Sequence, residues 1–312
     1  MKNIPLVFCG RESHKLTQEI CRHLGVQRGH TRIKEFADLE PWYRIVSCEQ
    51  VMPDDIAVVI NSTACPATKS YFDLWGLVRP LSKRKPRRLI AVMPFMGFRR
   101  QERDQSGGEA VMSELMADFL ACAGATDVVL VDIHHPDTIK HFENAGMKVY
   151  HIDPDPLFID VLRGRRLANW VFLQPDSGRH ESCERMAKEL QMTLAKTAKL
   201  HPEHEETTIE NFEGDVKGKH VLCKDDEIAT AGTLTVNADL LERLGALDLT
   251  QMATHGVLSA NAVHRIEDRP FIKKVYITDS IYLPWEKRDD SKIQVLSLAP
   301  MIANTILNIC EE

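Results

Sequence analysis

Short apolar runs alternate with longer amphipathic ones along almost the whole chain. The short runs "PLVFCG", "IAVVINST", "RLIAVMPF", "DVVLVDI", "NWVFLQP", "HVLCKDD", "KKVYITD" and "IQVLSL" read as strands. Segments of helical period lie between them. "ESHKLTQEICRHLG" sets Leu16, Ile20 and Leu24 on one face and closes on Gly25. "GGEAVMSELMADFLACAG" does the same with Met112, Leu115, Met116 and Phe119, closing on Gly124. Glycine at that place is a C-cap signal. The alternation predicts an α/β protein with a mainly parallel sheet.

A Pro-rich stretch, "HIDPDPLF" (His151 to Phe158), follows one full set of alternations, and a second set begins at Asn169. It predicts a domain junction, with a first domain over 1–150 and a second over 151–292. A last amphipathic segment within 293–312, "APMIANTILNICEE", reads as a terminal helix. The length of 312 residues accommodates two full-sized cores.

Composition narrows the function. Hydrophobic residues make up 44% and charged residues 27%, as in ordinary soluble globular proteins. The net charge of −6 gives no electrostatic reason to expect nucleic acid as a partner. The one basic stretch, "SKRKPRR" (Ser82 to Arg88), reads as a solvated turn before a strand. No apolar run approaches the ~20 residues that span a bilayer, and the N-terminal stretch lacks the pattern of a signal peptide. The eight cysteines contain no C-x-x-C pair and several sit in apolar runs, which suits buried thiols in a reducing cytoplasm. "HPEHEE" (His201 to Glu206) offers metal-ligand types but reads first as a polar loop.

Ligands of open parallel sheets bind beyond the carboxyl ends of the strands. Four strand ends are polar enough to matter: "MPFMGFRRQER", "VDIHHPD", "QPDSGR" and "HVLCKDDEIATAGTL". The last joins two acids, Asp225 and Asp226, to a turn of small and hydroxylated residues, Ala229, Thr230, Ala231, Gly232 and Thr233. Small residues let backbone N–H groups approach a phosphate, and a following helix aims its positive end there. The carboxylates accept hydrogen bonds from vicinal sugar hydroxyls. The pattern suits a phosphorylated ribose.

That stretch resembles the ribose-phosphate signature of the type I phosphoribosyltransferase fold. The other strand ends, with "KEFADLE", "INSTACPATKSYFDLWGLV" and "MATHGVLSANAVHRI", resemble segments of the ribose-phosphate pyrophosphokinase family, in order and from about Leu6 to Leu307. The resemblance implies two tandem domains of that fold, with the C-terminal helix returning to the first. It implies transfer of a diphosphate from ATP, with Mg2+, to the anomeric hydroxyl of ribose 5-phosphate, and a homo-oligomer. It places Phe36, Asp38, Glu40, Arg100, Gln101 and Arg103 on the nucleotide, and His134 and Asp176 on magnesium and the phosphates. Asp225, Asp226 and the segment from Ala229 to Thr233 fall on the ribose phosphate. Lys196, with Lys199, falls on the loop that stabilises the transferring diphosphate. From residue type alone, His134 reads as a structural histidine, imidazole being an unusual ligand for a hard cation, and Lys196 as a surface residue.

Four positions depart from the family pattern. Ala198 stands where an arginine is usual, and the neighbouring Lys199 is no bidentate substitute. Leu39 replaces a glycine that permits unusual backbone angles, and Ala231 a glycine common in the phosphate loop, which alters how closely the phosphate can approach. Ala229 stands where many members carry an acid. The favoured reading is a pyrophosphokinase acting on ribose 5-phosphate. Two others stay open at this point: the same transfer to a larger 5-phosphorylated ribose such as ADP-ribose, and a catalytically silent regulatory paralogue.

Overall fold

A computed structural model describes residues 4–46, 48–104, 106–175, 180–199, 209–284 and 292–312. It divides into two units: Met1–Asp153 with Ser280–Tyr282 and Ser297–Glu312, and Pro154–Asp279 with Leu283–Leu296.

The first unit runs β1 (Leu6–Cys9), α1 (His14–Leu24), β2 (Thr31–Glu35), β3 (Pro41–Ile45), β4 (Ile56–Ile60), α2 (Ala67–Ser82), β5 (Arg88–Met93), α3 (Met112–Ala123), β6 (Asp127–Val131), α4 (Asp137–Asn144) and β7 (Lys148–Ile152). Its sheet has the order β1-β4-β5-β6-β7, parallel throughout, and β2 and β3 form a separate antiparallel hairpin. Every residue of β4 and β6 is buried. Both faces of the sheet are covered, which is why those strands read as unbroken apolar runs. On one face Ala57, Val59, Ala91 and Leu130 pack against Leu74, Leu77 and Leu120 of α2 and α3. The last helix of the chain, α9 (Ala299–Glu311), packs on α1 and β7.

The glycine caps form as expected: Gly25 (φ +69°) closes α1 and Gly124 (φ +107°) closes α3. The expected core face of α3 is shifted. Leu115 and Phe119 are 41% and 45% exposed, while Ser113, Met116, Ala117, Leu120 and Ala123 are buried. Three small residues on that stripe bring the helix close to its neighbours, and the bulkier pair turns outward. The basic stretch is a turn, with Arg84 donating to the carbonyls of Glu49 and Val51.

The Glu312 carboxylate fastens the end of α9, accepting from Tyr150 Oη at 2.6 Å and facing Arg88 at 3.1 Å and Lys148. Lys148 and Tyr150, then Arg88, hold this carboxyl down at about 2 from its ordinary 4.5. A depressed carboxylate stabilises the fold above its unfolded value and loses that contribution as pH falls toward the folded one. Glu312→Gln is therefore expected to lower the melting temperature at pH 7, with the gap to the parent closing between pH 4.5 and about 2. Thermal melts across that range check it, and a gap constant with pH would refute it.

The second unit runs α5 (Asp155–Leu162), β8 (Trp170–Gln174), α6 (His180–Glu189), β9 (Thr193–Lys199), β10 (Ile209–Glu213), β11 (His220–Ile228), α7 (Gly232–Arg243), β12 (Asp248–Gly256), α8 (Ala262–Glu267), β13 (Ile272–Thr278) and β14 (Ile293–Leu296). Its sheet has the order β10-β9-β8-β11-β12-β13-β14, with only β9 and β10 antiparallel. The segment 293–312 is thus not all helix. Its first residues pair with β13 in the second sheet, and the helix begins at Ala299. Val221 and Cys223 face one core, with Leu234, Ala238 and Leu241 of α7; Leu222 faces another, with Phe158 and Met186.

Candidate active site

In the first unit the hairpin carries the segment expected at the nucleotide. Phe36 donates its N–H to the Glu40 carbonyl, Leu39 to that of Phe36, and Glu40 to the Asp38 side chain at 3.2 Å. Leu39 adopts φ +69°, the left-handed region that glycine enters without cost. The turn leaves Phe36, Asp38 and Glu40 exposed. Its base is fixed. Glu35 meets Lys69 at 2.6 Å and Arg11 at 2.7 Å, and these cations, Lys69 foremost, hold its carboxyl below the usual range. Arg11 forks onto buried Asp73 with two bonds of 2.8 Å, and Tyr43 Oη adds a third at 3.1 Å.

The segment after β5 makes a sharp turn. A Cβ at Gly97 would lie 2.5 Å from the Thr63 carbonyl, so only glycine fits there. Phe98 follows at φ +59°. Side chains then divide between interior and solvent: Arg99 and Glu102 are buried, whereas Arg100, Gln101 and Arg103 are exposed. The Arg99 guanidinium donates to the Asp132 carbonyl at 2.5 Å, tying this segment to the turn after β6. That turn presents His134, which is exposed, two residues beyond Asp132 (φ +41°). Since β5 and β6 are parallel neighbours, Arg100, Gln101 and His134 share one edge of the sheet.

In the second unit β11 runs further than the sequence predicts. It pairs with β12 through Asp225↔Ala253, Glu227↔His255 and Ile228↔Gly256, so both acids lie within the strand. The pleat sends consecutive side chains to opposite faces, which separates Asp225, half-buried, from Asp226, buried. Each carboxylate accepts from the next backbone N–H, Asp226 to Asp225 at 2.8 Å and Glu227 to Asp226 at 3.0 Å. The turn that follows is braced from behind. The carbonyls of Ile228, Ala229 and Thr230 accept from Leu258 N–H, Ser259 N–H and Arg265. Ala231 (φ +62°) is the N-cap of α7 and makes no side-chain cap. Thr235 donates the first helical bond back to Ala231, and Gly232 and Thr233 form the open N-terminal turn of the helix. Amides at an open helix N-terminus are groups of the kind that meet an anion.

Lys196 lies on β9, beside Gln174 of β8, and its ammonium is 3.9 Å from Glu184. Its neighbour Thr197 is buried and donates to the Pro175 carbonyl at 2.8 Å, tying the end of β8 to β9. Asp176 and the "HPEHEE" stretch lie outside the described residues, as do the side chains of Ala198 and Lys199.

Strand ends of this kind, in this order, are matched by known proteins. The model of the N-terminal domain of ribose phosphate pyrophosphokinase matches residues 5–124, and that of the phosphoribosyl synthetase-associated domain matches residues 174–312. The ribose-phosphate pyrophosphokinase of Caldanaerobacter subterraneus subsp. tengcongensis is 35% identical over 98% of this chain and 94% of its own length. The chain belongs to the ribose-phosphate pyrophosphokinase family. The enzyme of that name from Corynebacterium ammoniagenes is 32% identical over the same shares of both chains. The crystal structure of phosphoribosylpyrophosphate synthetase from Mycobacterium smegmatis superposes with a TM-score of 0.89, at 30% identity, covering 98% of this chain and 99% of that one.

Within this family member, Arg99 and Glu102 are the residues that sequence reasoning passed over. The charged side chains were visible beside the predicted nucleotide residues, but which of them turn inward shows only in the folded loop. Ala231 carries a testable cost. A non-glycine residue in the left-handed region costs roughly 1–2 kcal/mol, against about 0.4–1 kcal/mol for the added unfolded-state freedom of glycine. Ala231→Gly is thus expected to stabilise the protein by about 1 kcal/mol, raising the melting temperature by roughly 2–4 °C. A lower melting temperature would show that the strain is relieved elsewhere in the turn.

Proposed function

We propose that the protein transfers the β,γ-diphosphate of ATP to the anomeric hydroxyl of ribose 5-phosphate, giving phosphoribosyl pyrophosphate and AMP. The observation that carries this reading is the N-terminus of α7, without a side-chain cap, on the short turn that follows the strand bearing Asp225 and Asp226, in a chain of this family. The ribose phosphate sits on the amides and hydroxyls of Thr230 to Thr233, with Asp225 on the sugar hydroxyls and Asp226 supporting the strand end. Phe36, Asp38, Glu40, Arg100, Gln101 and Arg103 hold the nucleotide. The anomeric oxygen attacks the β-phosphorus of ATP, the bond from that phosphorus to the bridging oxygen of AMP breaks, and the hydroxyl proton leaves to solvent. Lys196, with Lys199, neutralises charge on the diphosphate as it moves. Positioning and charge neutralisation are what such a transfer chiefly asks of a protein.

Mg2+ fits this donor set in a particular way. Among the described residues no group of three or more His, Cys, Asp or Glu side chains forms a metal cage. Magnesium in phosphoryl-transfer sites is held by one or two carboxylates together with the substrate phosphates, and keeps several waters. Asp176 supplies such a carboxylate, and exposed His134 a contact through water. The ion neutralises phosphate charge when bound.

A homo-oligomer in the cytoplasm completes the reading. Phe72 and Phe119 are 56% and 45% exposed and flank Trp75 edge-to-face, an apolar ridge suited to a second copy. None of the eight cysteines is in a disulfide, and no described helix is long and apolar enough to cross a membrane. The deciding experiment is phosphorus NMR with ATP and Mg2+, offering ribose 5-phosphate and ADP-ribose in parallel. AMP and a sugar-linked diphosphate from ribose 5-phosphate are expected. The same signals from ADP-ribose alone, or no AMP from either, would overturn the proposal.

A further inference from the structure

One position of β11 in the second unit buries a charge directly after an apolar run, Val221 to Cys223. Lys224, one residue before Asp225, is 2% exposed, and its ammonium lies 2.5 Å from the carboxylate of Asp155, itself 1% exposed. Asp155 opens α5. Its other oxygen accepts from Ser182 Oγ at 2.7 Å and from the Arg185 guanidinium, both on α6. The ring of Phe158 lies 5.9 Å from the ammonium. One buried carboxylate is thus shared by donors from β11 and α6, beside an apolar layer that includes Phe158, Met186 and Leu222.

Stability alone does not account for this arrangement. A buried ion pair loses in desolvation about what it gains in attraction, and apolar residues of the same volume often serve as well or better. Leu222, on the same face two residues earlier, is such a residue. What the pair adds is direction, because charge-assisted hydrogen bonds are short and geometrically demanding. They pin the carboxyl end of β11 to α5 and α6 at the residue next to Asp225. In the sequence α6 begins four residues after Asp176. Asp155 therefore links the strand that bears Asp225 to the helix that follows Asp176 in the sequence.

We infer that Lys224 and Asp155 are positioning residues that set Asp225 against the phosphorylated ribose. The inference rests on the functional reading above. Its test is steady-state kinetics of Lys224→Met and Asp155→Asn, each close in shape to the residue it replaces and without its charge. Each variant is expected to raise KM for ribose 5-phosphate about tenfold while KM for ATP and kcat stay within about threefold, the signature of lost ground-state binding. Thermal melts and far-UV circular dichroism accompany the kinetics, so that rates are compared only for folded protein. A lower melting temperature with an unchanged KM for ribose 5-phosphate, in whichever variant folds, would reduce the pair to a structural role and overturn the inference. Parent protein that makes no AMP from ribose 5-phosphate would instead remove the functional reading, and the inference with it.

Discussion

Asp225→Ala is expected to lower kcat/KM for ribose 5-phosphate by about 10²–10³. Of the two acids on β11, Asp225 is the half-buried one and Asp226 is buried, so Asp225 is the carboxylate a ligand can reach. A hydrogen bond to a charged group contributes about 1.5–3 kcal/mol, and two sugar hydroxyls on one carboxylate give roughly 3–4 kcal/mol at the lower end of that range. A tenfold change corresponds to about 1.4 kcal/mol, which yields the stated loss. The fall should concentrate on the sugar substrate, because nothing in this reading puts Asp225 against ATP. Initial-rate kinetics with each substrate varied in turn would check it. An Asp225→Ala protein with the parent's activity would remove the sugar from β11.

Lys196→Ala is expected to reduce kcat by about 10²–10³ with both KM values within about threefold, a loss of roughly 3–4 kcal/mol typical of one donor aimed at developing charge. The fold argues that Lys196 has little structural work. At 39% side-chain exposure and 3.9 Å from Glu184, its ion pair is a loose surface contact, and such pairs contribute about 0–1 kcal/mol. Its neighbour Thr197, buried against the Pro175 carbonyl, carries the packing at this end of β9. Stability should therefore barely move. Single-turnover measurements separate the chemical step from binding. If kcat stayed constant and KM for ATP rose instead, Lys196 would be a nucleotide contact and the charge would have to be met from elsewhere.

The sequence was readable wherever apolar content and element type coincide. β1, β4, β5, β6, β8, β11, β13 and β14 all stand where apolar runs put them. β12 escaped notice because it buries Thr250, Gln251, Thr254 and His255 at the middle of a sheet, so its composition looks like that of a loop. β9 and β10 escaped it because lysines and acids along an edge pair mimic a solvated linker. In the site, the strand-end motifs identified which loops matter, since residue type and spacing are local. The orientation of side chains within those loops is not local. The pleat that parts Asp225 from Asp226, and the inward turn of Arg99 and Glu102, follow from how far a strand runs and where a neighbouring turn sits. The ion pair of Lys224 with Asp155 joins residues far apart in sequence, and no period in the chain points to it.

The first unit is also discontinuous in sequence, and this affects how the protein is made. Ile302, Ile306 and Ile309 of α9 are fully buried against a sheet and helix built from the first half of the chain. Roughly 145 residues separate Asp153 from Ser297, where the stretch of this unit that carries α9 begins. At about 5–20 residues per second, a ribosome takes on the order of 7–30 s to cross that interval. During that time the apolar surface beside α1 that Ile302, Ile306 and Ile309 will cover stays open to water, and it closes only when the last helix arrives.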